Sequence, residues 1–283
     1  MKINNMQGAI IVNKAPDMTS RDVINILNKK FNTKSIGHTG TLDPIAEGVL
    51  VCLIGKYTKL TDILINHDKE YIASFKLGIL TDTLDITGKI LKEEKINLTK
   101  EEIQKTIHSF KGTYNQEVPI YSAVKINGKK LYEYARNNEE ITLPKRKVNI
   151  YDIELLNIDN DIITIKTKVS KGTYIRSLIR DIGLKLNTNA TMTKLIRTKL
   201  DKFTIEESYT LEDIQNDNYK LLSLEDLINL DTININEEML FKIKNGQIID
   251  YQTNKYILYK YNNQDIALYK PYQNNKIKPF IMF

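Results

Sequence analysis

The stretch Ile36 to Gly48, reading IGHTGTLDPIAEG, constrains this chain more than any other, because it cannot belong to a regular element. Three glycines and a proline interrupt helix and strand hydrogen bonding, while His38, Thr39, Thr41, Asp43 and Glu47 supply polar atoms. The flanks, by contrast, read as ordered. Gly8 to Val12 has the apolar run of a buried strand, and Thr19 or Ser20 caps a helix whose Val23, Ile26, Leu27 and Phe31 share one face. Val49 to Ile54 is again continuously apolar. A polar loop held between apolar elements is a shaped loop.

The remaining chain alternates strand and helix signals. Lys59 to Ile65 is helix-like, and Tyr71, Ala73, Phe75 and Leu77 alternate along a strand that ends at the polar turn Thr81 to Gly88. A capping box, Thr99 with Glu102, opens a helix carrying Ile103, Ile107 and Phe110 inward. Asn127-Gly128 predicts a tight hairpin, followed by a short helix around Leu131 to Arg136. Two β-rich stretches between Val148 and Ser170 flank the turn-prone Asn157 to Asp161, which predicts a long hairpin. A helix from about Tyr174 places Ile175, Leu178, Ile179, Ile182 and Leu186 inward and turns Arg176 and Arg180 to its opposite face. After roughly Asp231, a helix over Glu237 to Lys244 and several short Tyr- and Ile-rich stretches predict a small β domain.

Charge points to a class of partner. The 283 residues hold 41 Lys+Arg against 35 Asp+Glu, a formal +6, which favours polyanions. Lys125, Lys129, Lys130, Arg136, Lys145, Arg146 and Lys147 crowd one stretch with Tyr121, Tyr132 and Tyr134 among them. Basic residues interleaved with aromatics suit RNA; a solvated lysine-rich face is the alternative reading of the same residues.

Several chemistries are excluded by spacing. The histidines are His38, His67 and His108, and none stands at zinc-ligand spacing from another His or Cys. Gly48 and Gly55-Lys56 lie too far apart for a phosphate loop, and Tyr57 occupies the magnesium-ligand position. Neither a nucleophile elbow nor a dinucleotide fingerprint occurs. Cys52, the single cysteine, sits in an apolar run and reads as a buried structural thiol. No stretch has transmembrane length and no signal peptide is evident, so a soluble, cytoplasmic protein is expected. From the residues alone, Asp43 is either an acid that hydrogen-bonds its own turn backbone or a catalytic carboxylate.

The motifs taken together are more specific. Gly37-His38-Thr39-Gly40-Thr41-Leu42-Asp43-Pro44, Asp68-Lys69-Glu70-Tyr71, Thr81-Asp82-Thr83-Leu84-Asp85 and Ser170-Lys171-Gly172-Thr173-Tyr174-Ile175-Arg176, in this order, resemble the bacterial TruB family of tRNA pseudouridine-55 synthases. Pro119 to Lys125 and Gly128 to Arg136 resemble that family's RNA-gripping insertion. The resemblance runs from about Gly8 to Phe203 and, more weakly, through a C-terminal piece similar to a PUA-like domain.

The resemblance implies an α+β pseudouridine-synthase fold with a mixed, largely antiparallel central sheet and flanking helices. Its catalytic domain would span 1–230 with a basic insertion at about 111–147, and a small PUA-like β domain would span 231–283. Asp43 matches the catalytic aspartate, and Arg176 the arginine that pairs with it and would lower its pKa. Tyr71 matches the ring that stacks on the extruded base, Tyr174 and Leu195 match the uracil-pocket lining, and His38 matches a residue that holds the displaced nucleotide. Lys14, in Lys14-Ala15-Pro16, stands near the family's Lys-Pro pair and is counted as supporting. Lys125, Lys129, Lys130, Arg136 and Arg146 make up the expected RNA-binding patch.

The implied reaction needs no cofactor or metal, because uracil is detached, turned and rejoined without any group leaving. The implied partner is the tRNA T-arm, engaged by a monomer with no membrane and no obligate protein partner. A non-catalytic tRNA-folding chaperone and a guide-RNA-dependent relative are the alternatives.

Overall fold

The computed structural model describes residues 6–283. Strand β1 (Gly8–Lys14) leads through helix α1 (Ser20–Lys30) to β2 (Ile36–His38) and β3 (Glu47–Ile54). Thr19 is the cap of α1: its side chain accepts from the Asp22 amide while the Asp22 side chain returns the bond, which frees Ser20 for the site described below. The helix expected over 59–65 is instead a 3₁₀ turn over Gly55–Leu60 followed by the single turn α2 (Thr61–Leu64). The Thr58 and Thr61 hydroxyls each donate to a carbonyl three residues back, which tightens the chain below α-helical pitch.

Strand β4 (Lys69–Leu77) buries Tyr71, Ala73, Phe75 and Leu77, the alternation anticipated. The polar turn after it is the tip of a hairpin between β5 (Ile79–Thr81) and β6 (Ile90–Glu93). Helix α3 (Lys100–His108) starts at the Thr99–Glu102 capping box. There follow β7 (Gly112–Glu117), the hairpin of β8 (Lys125–Ile126) and β9 (Lys129–Lys130), and α4 (Leu131–Arg136). Asn127 and Gly128 at φ 51° and 82° form the tight turn their dipeptide predicts. The long hairpin joins β10 (Lys145–Asp159) to β11 (Ile162–Val169), and α5 (Ile175–Lys185) leads to β12 (Ala190–Leu200) and β13 (Phe203–Thr204). The short helices α6 (Leu211–Gln215) and α7 (Leu224–Leu227) complete this part.

The main sheet runs β1-β3-β12-β4-β11-β10-β7, with β2 added to β3 and β13 to β12. It is antiparallel except at β3 and β12, where Glu47 and Gly48 pair in parallel with Ile196 and Arg197. Gly48, at φ 103°, lies so close to β12 that a Cβ would collide with the Arg197 carbonyl. The sheet is therefore mixed and largely antiparallel, as expected. Helices α1, α3 and α5 cover one face with Val23, Leu27, Ile103, Ile107, Leu178 and Ile182. On the other face, Ala9, Ile11, Val49, Val51 and Leu53 meet Tyr57, Leu60 and Leu64. Strands β1 and β3 are thus buried on both sides, which is why they read as unbroken apolar runs.

Residues 112–117 and 145–150 are paired strands at the sheet edge, from Lys145↔Glu117 to Ile150↔Gly112. What projects from the sheet is accordingly 118–144, shorter than the span of about 111–147 expected for the insertion. A second sheet of five strands follows: β14 (Leu230–Asn234), then, beyond α8 (Glu237–Lys244), β15 (Ile249–Asp250), β16 (Tyr256–Tyr261), β17 (Gln264–Tyr272) and β18 (Lys276–Met282). Ile243 of α8 packs on Ile257, Tyr259, Tyr269 and Ile277. Leu258, Leu268 and Ile281 face the main domain and join its second core. No helix among the described residues is long and apolar enough to cross a membrane.

Candidate active site

Asp43 is fixed through its neighbours. The Ser20 hydroxyl accepts from the Leu42 amide at 2.9 Å and lies 3.1 Å from the Leu42 carbonyl, to which it can donate. On the other side the Lys14 ammonium donates to the carbonyls of Ala15 (2.8 Å), Met18 (2.7 Å) and Pro44 (3.2 Å). All three ammonium hydrogens are used, and Lys14 is fully buried. Burial lowers its pKa to about 8, against the pull of Asp17, Asp43 and Glu47. The loop is therefore held immediately before and after Asp43 by side chains of α1 and β1.

Arg176 reaches Asp43 from the start of α5. Its Nε lies 2.9 Å from Asp43 Oδ2 and its Nη2 3.1 Å from Oδ1. The same guanidinium donates to the carbonyls of Thr83 and Tyr121, each at 3.0 Å, and its Nη1 lies 3.8 Å from Asp85 Oδ2. Arg176 was expected on the helix face opposite the apolar one, and that face is not open here. The first turn of α5 is covered on that side as well, by the segment after β7, so Arg176 is buried. Arg180, one turn on, is spent on Glu117 and Asp181.

Electrostatics correct a second expectation. Burial raises the Asp43 pKa, the Arg176 guanidinium opposes the rise, and the Asp85 carboxylate adds to it. The net direction is upward, whereas pairing with arginine alone implied downward.

Asp43 opens into a cleft of about 480 Å³. Tyr71, Tyr174 and Leu195 line it together with Arg176, so five of the anticipated residues converge. Tyr121, Ser122 and Tyr132 close the side formed by the projecting segment. His38 stands behind this wall rather than on it: its Nδ1 accepts from the Gly40 amide at 3.3 Å, and burial, Arg197 and Arg21 lower its pKa. The basic patch is not in the cleft either. Lys125, Arg136 and Arg146 are exposed, Lys129 pairs with Glu139 and lies 4.5 Å from the Tyr134 ring centre, and Lys130 and Arg136 approach the Tyr132 ring at 5.3 and 5.2 Å. Tyr132 thus joins the patch to the cleft.

Four residues escaped the reading of the sequence as site members. Asp85 is buried beneath Arg176, its Oδ1 accepting from the Thr83 hydroxyl and the Thr87 amide. Gln116 grips the Tyr174 backbone, Nε2 donating to its carbonyl at 3.1 Å and Oε1 accepting its amide at 2.8 Å. Lys69 and Arg197 line the cleft. Arg197 did carry a signal, because it holds the inward phase of β12 two residues after Leu195. Among the described residues no group of three or more His, Cys, Asp or Glu is placed to hold a metal ion.

Comparison with known proteins agrees with this geometry. Residues 28–175 match the model for the TruB family pseudouridylate synthase N-terminal domain, and residues 176–232 match that for the tRNA pseudouridylate synthase B C-terminal domain. The protein named tRNA pseudouridine synthase B of Caldanaerobacter subterraneus subsp. tengcongensis is 41% identical over 98% of this chain and 99% of its own. That of Clostridium tetani is 44% identical over 96% of this chain and 93% of its own. Among solved structures, a Cbf5-Nop10-Gar1 complex aligns with a TM-score of 0.69 at 23% identity, covering 100% of this chain and 86% of the other. An H/ACA RNP bound to a substrate RNA containing 2′-deoxyuridine gives 0.68 at 23%, covering 97% and 83%. These two establish the shared fold, and the family matches and close relatives establish that this chain belongs to the TruB family of pseudouridylate synthases.

Proposed function

We propose that this protein converts the T-loop uridine of tRNA, at position 55, to pseudouridine, with Asp43 as the catalytic carboxylate. The observation that carries the reading is the two-point pairing of Asp43 with a buried arginine at a cleft walled by Tyr71, Tyr174 and Leu195. A carboxylate so aimed is ready to act at the sugar or base of a nucleotide turned out of its loop. Arg176 opposes the effect of burial on its charged form and fixes its direction.

Extruding a base costs a few kcal/mol of stacking, and each ring stacked on it returns about 1–3 kcal/mol. Tyr71 supplies that ring, and Tyr174 and Leu195 enclose the uracil once its bond to C1′ is broken. Enclosure matters because a detached base must turn without escaping or meeting water. The N1–C1′ bond breaks, a C5–C1′ bond forms, the C5 proton leaves and the freed N1 takes up a proton, so atoms balance without a cofactor. His38, behind Gly40, supports the loop on which the displaced nucleotide rests, and Lys14 holds Pro44 and so the aspartate's backbone.

In this reading residues 1–230 form the catalytic domain, with the projecting residues 118–144 and the adjoining sheet edge as an RNA grip, and 231–283 form a PUA-like domain that also meets RNA. Lys125, Lys129, Lys130, Arg136 and Arg146 contact T-arm phosphates. The protein works on tRNA as a monomer, with no obligate protein partner, in the cytoplasm. The names of its bacterial relatives support the substrate class. Pseudouridine mapping of total tRNA from cells with and without the gene tests this: the T-loop signal at position 55 disappears with the gene. Persistence of that signal, or loss at another site only, contradicts it.

A further inference from the structure

Arg197 is 1% exposed, yet no carboxylate among the described residues pairs with it. Its Nε donates to the Val49 carbonyl at 2.7 Å and its Nη2 to the Gly40 carbonyl at 3.0 Å, while Nη1 has no partner among the described residues. Lys69 is in a similar position. Its ammonium donates to the Ile65 and His67 carbonyls at 3.3 and 2.7 Å, which leaves the third hydrogen without a partner among the described residues.

The two cations meet at one point. A Cβ placed on Gly40 would stand 3.6 Å from Arg197 Nη1 and 3.9 Å from Lys69 Cε, so the bare face of this glycine is the floor between them. All three residues line the cleft that holds Asp43. Other buried cations nearby are matched differently: Arg176 has Asp43 and Asp85, Arg180 has Glu117 and Asp181, and Lys14 uses every hydrogen.

A buried cation with carbonyl partners alone, as Arg197 is, is expensive, and the half-buried Lys69 beside it adds repulsion. Burial and the neighbouring Arg197 and Lys171 lower the Lys69 pKa to about 8, against the pull of Asp68. Asp43 is already committed to Arg176, so it does not serve them. The group that does is an anion with at least two outward oxygens and little bulk where it touches Gly40.

We infer that Gly40, Lys69 and Arg197 form a seat for one RNA phosphodiester adjoining the extruded nucleotide, its two non-bridging oxygens taken by the two cations. This rests on the proposed action on an RNA uridine. It adds that the displaced nucleotide is held by its backbone as well as by its base, at a site separate from the basic patch.

The test uses the full chain and a T-arm stem–loop RNA in which a single linkage is replaced by neutral methylphosphonate, either 5′ or 3′ of the target uridine or remote in the stem. Binding is read by fluorescence anisotropy across a salt series. One of the two flanking replacements weakens binding to the wild type by about tenfold and reduces the salt slope by about 0.7, and the remote one does so less. That same replacement costs Lys69→Met no further affinity. Equal losses for both proteins, or no loss at either flanking linkage, overturn the inference. If Lys69→Met fails to fold, the flanking and remote linkages compared on the wild type still decide. Tritium release from unmodified RNA, scored alongside, judges the proposed reaction separately: no release removes the reaction, while the anion seat stands or falls on binding.

Discussion

The Arg176 guanidinium holds both oxygens of Asp43 from two different nitrogens, at 2.9 and 3.1 Å, while its remaining donors are taken by two carbonyls and faced by Asp85. A planar fork is needed to satisfy these groups together. Arg176→Lys keeps the charge but offers one nitrogen, so it leaves one carboxylate oxygen and one or both carbonyls unserved. kcat/KM for tritium release falls by about 100-fold, equivalent to about 3 kcal/mol. Arg176→Met, which strands two carboxylates, also lowers stability by about 3–5 kcal/mol in urea unfolding.

The raised Asp43 pKa sets the acid limb of activity. Catalysis needs the ionised form, so log kcat/KM rises with pH up to an apparent pKa above the ordinary aspartate value of 3.8 and is level beyond it. Stability runs the other way for this group. Folding favours its neutral form, so its contribution is full below 3.8 and fades as pH rises through the folded-state pKa. The pH profile of initial rates checks the first statement, and comparison of wild-type and Asp43→Asn unfolding across pH checks the second.

Gln116 is a positioning residue. Through both ends of its amide it holds Tyr174, the residue from which α5 and Arg176 depart. Gln116→Ala orphans a backbone amide and carbonyl, with a cost of about 2–3 kcal/mol in stability. kcat falls by about tenfold because both the pocket ring and the arginine lose their register. Gln116→Glu keeps the acceptor for the Tyr174 amide and recovers part of kcat, which a merely destabilising change would not do.

Ser20→Ala removes the hydroxyl that accepts from the Leu42 amide. Stability falls by about 1–3 kcal/mol. The catalytic loop loosens one residue before Asp43, so kcat drops with little change in KM in steady-state assays.

How far the site could be read from the sequence follows from the range of each signal. The loop of Asp43 was legible only in part, because Gly40 and Pro44 break it locally whereas Gly37 and Gly48, expected in the loop, are strand residues of β2 and β3; Tyr71 was legible because β4 alternates cleanly. The Asn127-Gly128 turn and the Thr99 cap are likewise written in neighbouring residues. Asp85 was not legible: in Thr81 to Gly88 it looks like any turn aspartate, and its burial depends on an arginine that arrives from α5. Gln116 sits in a strand of polar and charged residues, and nothing local says that Tyr174 crosses it. Arg176 was found, but its burial was not legible, because helical periodicity shows which face meets the sheet and not that another segment covers the opposite face.

The central claim is that the Asp43 carboxylate performs the reaction. Its most direct test is tritium release from tRNA labelled at uridine C5, measured side by side for the wild type and Asp43→Asn, with folding of the variant verified by its unfolding curve. The wild type releases tritium in proportion to the T-loop uridine present, and the folded variant binds the RNA but releases none above background. Release by folded Asp43→Asn at a rate near that of the wild type would contradict the account.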